Sequence, residues 1–384
     1  MQSSVLSRLL LVGGFSCLLA FTPLPAWAAD KDEKKDKKDE AYTDVKFETS
    51  DQVELRGRWY ASAKGKKAPA VLVLPKLLGD ISQDGWDRLA ETLAKEGYSV
   101  LLFDYRGHGK STTVSPDFWK ARDGTGAYNA NLYKRMLKAT PPETIDIKDF
   151  KNGYLQYIVN DIAAARLFLD RRNDRGECNT GDLIVIGAED GACLGEMFLF
   201  SEYYRHRLNA IGKPDTNSEG KDIACAIWLS YRRTLGDPKG NPPNLNPKDW
   251  FGLVGHEKKV PMAFVYGDDD KAGEAFAQEW VKYIKAKDSK DNTGHKLTGP
   301  REIEKAGKVV GNELLQKNLK TQDWIVKEYL KKVMDQRSDT EWTQREVDKN
   351  AYIWSLAGTI RPPIAKVKDQ KDLNPIPFHY FIKQ

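Results

Sequence analysis

The chain has 384 residues, enough for one large α/β domain or two smaller ones. Its 60 basic and 55 acidic side chains are interspersed along the sequence and leave a net charge of +5, which argues against a nucleic-acid partner. Four cysteines and five histidines show no metal-ligand spacing, so neither a metal centre nor a cofactor is expected.

The first element is an apolar run from Leu9 to Leu24, preceded by Arg8 and followed by Ala26-Trp27-Ala28. This pattern predicts an export signal over residues 1–28, cut before Ala29, and hence a secreted or periplasmic protein. Gly13, Gly14 and Pro23 break the run and make it short for a membrane anchor, so no transmembrane span is expected after its removal. Gly14-Phe15-Ser16 before Cys17 is a poor lipidation site. The lysine and acid run from Asp30 to Glu40 predicts a solvated tether over residues 29–41.

Val45-Lys46-Phe47 and Val53-Glu54-Leu55 alternate about Ser50-Asp51, as an antiparallel hairpin does. Ala70 to Leu74 is a continuous apolar run, suited to a strand buried on both faces. Trp86, Leu89, Ala90, Leu93 and Ala94 form a helical stripe stopped by Gly97. A second buried strand, Val100 to Phe103, leads into Asp104-Tyr105-Arg106-Gly107-His108-Gly109-Lys110-Ser111. A polar stretch from Thr112 to Asn152 follows, and Ile158, Ile162, Ala165 and Leu169 mark the next helix.

Leu183 to Ile186 then reads as a buried strand running into Gly187-Ala188-Glu189-Asp190-Gly191-Ala192, with a helix resuming through Leu194, Met197 and Phe198. Ile223 to Leu229 and Pro261 to Tyr266 are strand-like, Lys271 to about Ile284 is helical, and Arg301 to Glu304 is strand-like again. Alternation of this kind predicts an α/β fold: a mostly parallel, twisted sheet with helices on both faces and an antiparallel hairpin at its start. We expect one domain over residues 42–334. Residues 335–384, rich in aromatics and proline, are expected to form an arm packed on it. Cys193 and Cys225 have apolar neighbours and read as small buried hydrophobes rather than bridge partners.

Three motifs, each at a strand end, carry a resemblance. They are D-x-R-G-x-G-x-S at Asp104 to Ser111, the glycine-flanked turn Gly187 to Gly191, and G-x-x-D at Gly267 to Asp270. Their order resembles the α/β-hydrolase superfamily, in particular its serine-peptidase and esterase-like branch, over roughly Asp44 to Met334. The resemblance makes Gly187 to Gly191 the nucleophile elbow, with its side chain aimed into the active site. At its tip stands Glu189 in place of serine. The resemblance also makes Asp270 the acid that orients the base, with Asp268 and Asp269 as nearby substitutes. Val310 stands where the family has its histidine. Lys76 and Leu77, within Pro75-Lys76-Leu77-Leu78-Gly79, occupy the oxyanion loop. His108 reads as a loop residue of a structural turn, not as the base.

These departures predict a degenerate triad in a non-catalytic protein with a binding or structural role. An envelope component or a small molecule would be its partner. The alternative is an active hydrolase of ester or amide bonds, using the Glu189 carboxylate or a serine such as Ser111 or Ser230 as nucleophile. Aspartate nucleophiles occur in the superfamily's dehalogenases and epoxide hydrolases, beside a retained histidine. His295 is expected near the opposite edge of the sheet, and His379 could reach the site only through the arm. Glu189 and Asp190 also read as acids in the first turn of a helix, worth about 0.3–1 kcal/mol each against the macrodipole. A third reading has Glu189 and Asp270 together holding a hard cation.

Overall fold

A computed structural model describes residues 41–120, 128–134, 141–208, 212–237, 244–286, 295–350 and 352–354. The export signal, the tether up to Glu40, Cys17 and the end of the arm with His379 lie outside the described residues.

Two strands, β1 (Thr43–Glu48) and β2 (Glu54–Tyr60), form the expected hairpin, with Val45, Phe47, Leu55 and Trp59 turned inward. Next come β3 (Pro69–Leu74), β4 (Ser99–Phe103) and β5 (Asn179–Ala188), apolar along most of their length as strands covered on both faces must be. The remaining strands are β6 (Arg205–Leu208), β7 (Pro214–Ser218), β8 (Ile223–Leu229), β9 (Met262–Gly267), β10 (Gly299–Ile303) and β11 (Tyr352–Trp354). Eight of them make one sheet in the order β1-β2-β4-β3-β5-β8-β9-β10. β2 is antiparallel to both of its neighbours, and every other pairing from β4 to β10 is parallel. This is the arrangement of the α/β-hydrolase fold, in agreement with the class expected from the sequence.

The two-residue period of the strands divides the interior in two. Ala70, Leu72 and Leu74 of β3, with Leu183 and Val185 of β5, meet the helices Val159–Asp174, Glu189–Glu202 and Lys271–Ala286 through residues such as Ile162, Met197 and Trp280. Val71, Val73, Ile184 and Ile186 point the other way, onto Trp86, Leu89 and Leu93 of helix Trp86–Glu96 and onto Ile325 and Tyr329. Each such fully buried aliphatic side chain contributes about 1.5–3 kcal/mol. Gly97 closes the helix Trp86–Glu96 in the left-handed region, with φ of 102°, and its N–H returns to the Ala94 carbonyl.

A small second sheet, β11-β6-β7, was not expected. Its strands are short, and β6 carries Arg205 and Arg207 where alternation would show apolar residues. Arg205 is nonetheless buried, within a network of Arg166, Asp170, Glu202, Glu219 and Asp222. Arg345, from beyond the last helix, enters the same network and meets Asp222 at 2.9 Å. Tyr352 to Trp354 of β11 pair with Arg205 to Arg207 of β6. Described parts of the polar stretch 112–152 are more firmly packed than their composition suggests, with Phe118, Trp119, Ile145 and Phe150 buried. Cys178, Cys193 and Cys225 are all free and buried.

Candidate functional site

The site grows from the end of β5. Ala188 is extended, and Glu189 turns abruptly into the left-handed region with φ of 50° before the helix Glu189–Glu202 begins. A residue with a β-carbon adopts that conformation at a cost of about 1–2 kcal/mol, so the turn is held by its surroundings. Close approach of the backbone explains the flanking glycine: a β-carbon on Gly191 would lie 2.0 Å from the Pro75 carbonyl oxygen. The strained strand-to-helix turn expected at Gly187 to Gly191 is present, with Glu189 at its tip.

The Glu189 side chain is nearly buried and lies between two cations. Its Oε1 is 3.2 Å from Lys76 Nζ, and its Oε2 is 3.2 Å from Arg232 Nη1. The Lys76 contact is an ion pair without hydrogen-bond alignment, because Oε1 has no aligned donor. Arg232 also donates its backbone N–H to the Glu189 carbonyl at 3.1 Å. On a further side Gly311, itself left-handed with φ of 59°, approaches so closely that a β-carbon there would be 2.7 Å from Oε1. The loop bearing Val310 thus runs directly past the Glu189 carboxylate, with Val310 half-buried and extended at the start of a short 3-10 turn, Gly311–Leu315.

Asp190 faces the other side of the turn. Its Oδ1 accepts the Leu77 N–H at 2.9 Å, and its Oδ2 accepts the Gly236 N–H at 2.8 Å. Burial pushes its pKa up to about 7, against the pull of those two donors, and the neighbouring Glu189 charge adds to the rise. Leu77 N–H is one of the donors an acyl-transfer site would direct at an oxyanion, and here it is spent on a side chain. The next N–H, of Leu78, donates to His108 Nε2 at 3.1 Å. His108 Nδ1 donates in turn to the Arg106 carbonyl at 2.9 Å. Both nitrogens of this buried ring are committed, and burial lowers its pKa, so it is a neutral strut.

The rest of the Asp104 to Ser111 motif is structural as well. Arg106, fully buried, holds Asp51 through Nη1 at 2.7 Å and Asp161 through Nε at 2.7 Å. Ser111 Oγ donates to the Asp104 carbonyl and accepts from Arg56 N–H. Ser230 sits at the end of β8, left-handed with φ of 49° and buried, and its Oγ has no hydrogen-bond partner among the described residues.

Asp270 is buried at the start of helix Lys271–Ala286, where its Oδ1 accepts the Gly273 N–H at 3.0 Å as an N-terminal cap. Asp268 ties down the loop after β10 by accepting from Lys305 and Gly307 N–H. The contacts of Glu189 and of Asp270 are separate: one carboxylate faces Lys76 and Arg232, the other caps a helix. No group of three or more His, Cys, Asp or Glu side chains among the described residues is placed to hold a metal ion. No helix among them is long and apolar enough to cross a membrane. His295 lies at the far end of the sheet, beside the residues that begin β8 and β9.

The sequence points to Lys76 only for its backbone position in the expected oxyanion loop, whereas its ammonium is what meets Glu189. Sequence reasoning misses Arg232. A signal was available, because a buried carboxylate at a strand end requires a cation, and Arg232 follows β8, the next strand in the sheet.

No protein-family profile matches the chain. An uncharacterized protein of Mycobacterium tuberculosis is 46% identical over 66 residues, 17% of this chain and 23% of that protein. A thiohydrolase of Aspergillus aculeatus, aneE, is 36% identical over 77 residues, 20% of this chain and 23% of that protein. The similarity therefore spans less than a quarter of either relative. Among solved structures, an esterase of Pyrococcus furiosus is 18% identical, with 76% of this chain and 91% of that chain covered and a TM-score of 0.47. Est1E of Butyrivibrio proteoclasticus is 12% identical, with 77% and 99% covered and a TM-score of 0.45.

Proposed function

We propose that this is an exported α/β-hydrolase-fold protein without acyl-transfer chemistry, acting as a binding or structural protein. The observation that carries the reading is the pair of acids at the elbow. Glu189 is held between Lys76 and Arg232, and Asp190 takes the Leu77 N–H. Acyl transfer needs a nucleophile, a base within hydrogen-bond reach of it, and free donors for the oxyanion. Here the nucleophile position carries a carboxylate with a cation on each oxygen, the base position carries Val310, and a loop donor is occupied.

The same geometry disfavours Glu189 as a carboxylate nucleophile. Attack requires a lone pair presented to the substrate at about 3–3.5 Å, and both oxygens already face cations at that distance. Water activation would then need a base, and His108 has both ring nitrogens engaged. A cation held by Glu189 and Asp270 is disfavoured on the same ground, since it would have to displace Lys76 and Arg232.

Incubation of the folded protein with a fluorophosphonate probe tests this reading. No heat-sensitive labelling is expected, either in the wild type or in Glu189→Ser, because the base and the oxyanion donor are missing in both. Stoichiometric labelling of the wild type that disappears on heating would overturn it. Peptide mapping of any label to Ser230 would identify the nucleophile.

A further inference from the structure

We propose that the basin at the N-terminal ends of β8 and β9, at the far end of the sheet from Glu189, binds a phosphate-bearing anion. The basin has a volume of about 470 Å³ and lies between the residues leading into β9 and the β7 strand with its following turn. That volume is within the range of small-molecule sites, roughly 300–1,000 Å³.

Its wall carries Lys221, Lys258, Lys259 and Arg337, and no aspartate or glutamate among the described residues lines it. In a chain with 60 basic and 55 acidic residues, three lysines on one wall, beside an arginine already paired with Asp182 and with no acid among the described lining residues, amount to segregation. The two acids beside Lys221 are drawn elsewhere. Glu219 and Asp222, which flank Lys221, turn into the buried arginine network around Arg166 and Arg345. Asp215 accepts the Asn217 N–H and feels the charge of Lys221, but it does not line the basin. Lys221 and Lys259 consequently have no ion-pair partner among the described residues.

Arg337 is fixed from behind, donating to Asp182 Oδ1 at 2.6 Å and to the Gly181 carbonyl at 2.7 Å. Lys258 Nζ lies 5.7 Å over the Tyr203 ring, which keeps its ammonium beside the basin. Lys259 is left-handed with φ of 55°, a conformation a lysine seldom adopts, and it lines the basin together with Lys258. The lining also supplies neutral donors, Ser218 and Asn217 among them, above an apolar floor that includes Ile223 and Val260. Compact ammonium groups around a half-apolar bowl match a phosphate or pyrophosphate group carried on a small organic body or a lipid.

Isothermal titration of the full chain with inorganic pyrophosphate tests the site, with sedimentation on vesicles containing an anionic phospholipid as a second arm. The variants are Lys221→Ala/Lys259→Ala and, as a control outside the basin, Lys66→Ala. All three lysines are exposed, and an unchanged Tm shows that the fold is kept. One saturable site is expected, weakened about tenfold or more in the double variant and unchanged in Lys66→Ala. Loss of vesicle binding alone in the double variant would identify a lipid headgroup as the source, and loss of pyrophosphate binding alone a soluble ligand. Absence of binding in both arms, or binding equally sensitive to Lys66→Ala, would overturn the proposal.

Discussion

Asp190 sets burial against hydrogen bonding in a way that a pH series can resolve. Its carboxyl has an ordinary value of 3.8 and is pushed up to about 7 in the folded protein, first by burial and then by the Glu189 charge, despite N–H donors from Gly236 and Leu77. Above pH 3.8 the unfolded chain gives up this proton, while the folded chain keeps it until about 7. Between those values the native state binds more protons, so stability falls as pH rises and levels off above about 7. The gap from 3.8 to about 7, at about 1.36 kcal/mol per pKa unit, comes to about 4 kcal/mol. That is a large fraction of a typical domain's 5–15 kcal/mol. Urea unfolding of the wild type and of Asp190→Asn from pH 4 to pH 8 isolates this group, because the amide does not titrate. The stability of the wild type relative to Asp190→Asn should fall by about 4 kcal/mol across the series. A difference that stays level to within about 1 kcal/mol, or that rises with pH, would refute the reasoning. It would mean that the two N–H donors outweigh burial and that Asp190 is a firmly held anion.

Arg345→Met should destabilise the protein by about 3–5 kcal/mol in urea melts, since it leaves Asp222 and Glu219 buried with one cation fewer. A cost below about 1 kcal/mol would show that the contact of Arg345 with this network is dispensable. N-terminal sequencing of the mature protein should begin at Ala29, as the apolar run and Ala26-Trp27-Ala28 imply, and recovery of Met1 would remove export from the proposed function.

The sheet was legible because burial on both faces writes a continuous apolar word into the sequence. Ala70 to Leu74, Val100 to Phe103 and Ile223 to Leu229 each became a strand within a residue or two of its expected limits. The small second sheet was not legible, because its side chains pair by charge. Arg205 and Arg207 read as exposed until Glu202 and Glu219, distant or offset in sequence, are brought beside them. The site divides in the same way. Glu189, Asp190 and the loop bearing Val310 could be placed from a local motif and its order along the chain. The partners Lys76 and Arg232 come from two other strand ends, and nothing local in either segment marks which way the side chain turns.

That contrast also accounts for how a left-handed strand-to-helix turn can carry a glutamate at its tip. The turn is imposed by backbone crowding: Gly191 lies against the Pro75 carbonyl, Gly187 against Ala192, and Gly311 against the tip residue itself. The contacts of Gly191 and Gly187 are with backbone and do not depend on the chemistry of the tip side chain, so the left-handed turn at residue 189 accommodates a glutamate, whose carboxylate Gly311 leaves room for. A carboxylate so nearly buried must then be neutralised, and the mouth of the site is where cations can reach it. Lys76 and Arg232 satisfy that requirement while remaining partly exposed. Two cations on one carboxylate leave a local charge of about +1, and with Asp190 half-protonated near neutral pH little negative charge remains to offset it. The electrostatic character of the elbow is thereby the reverse of what its two acids suggest, and an anionic group would be met there more favourably than a metal ion.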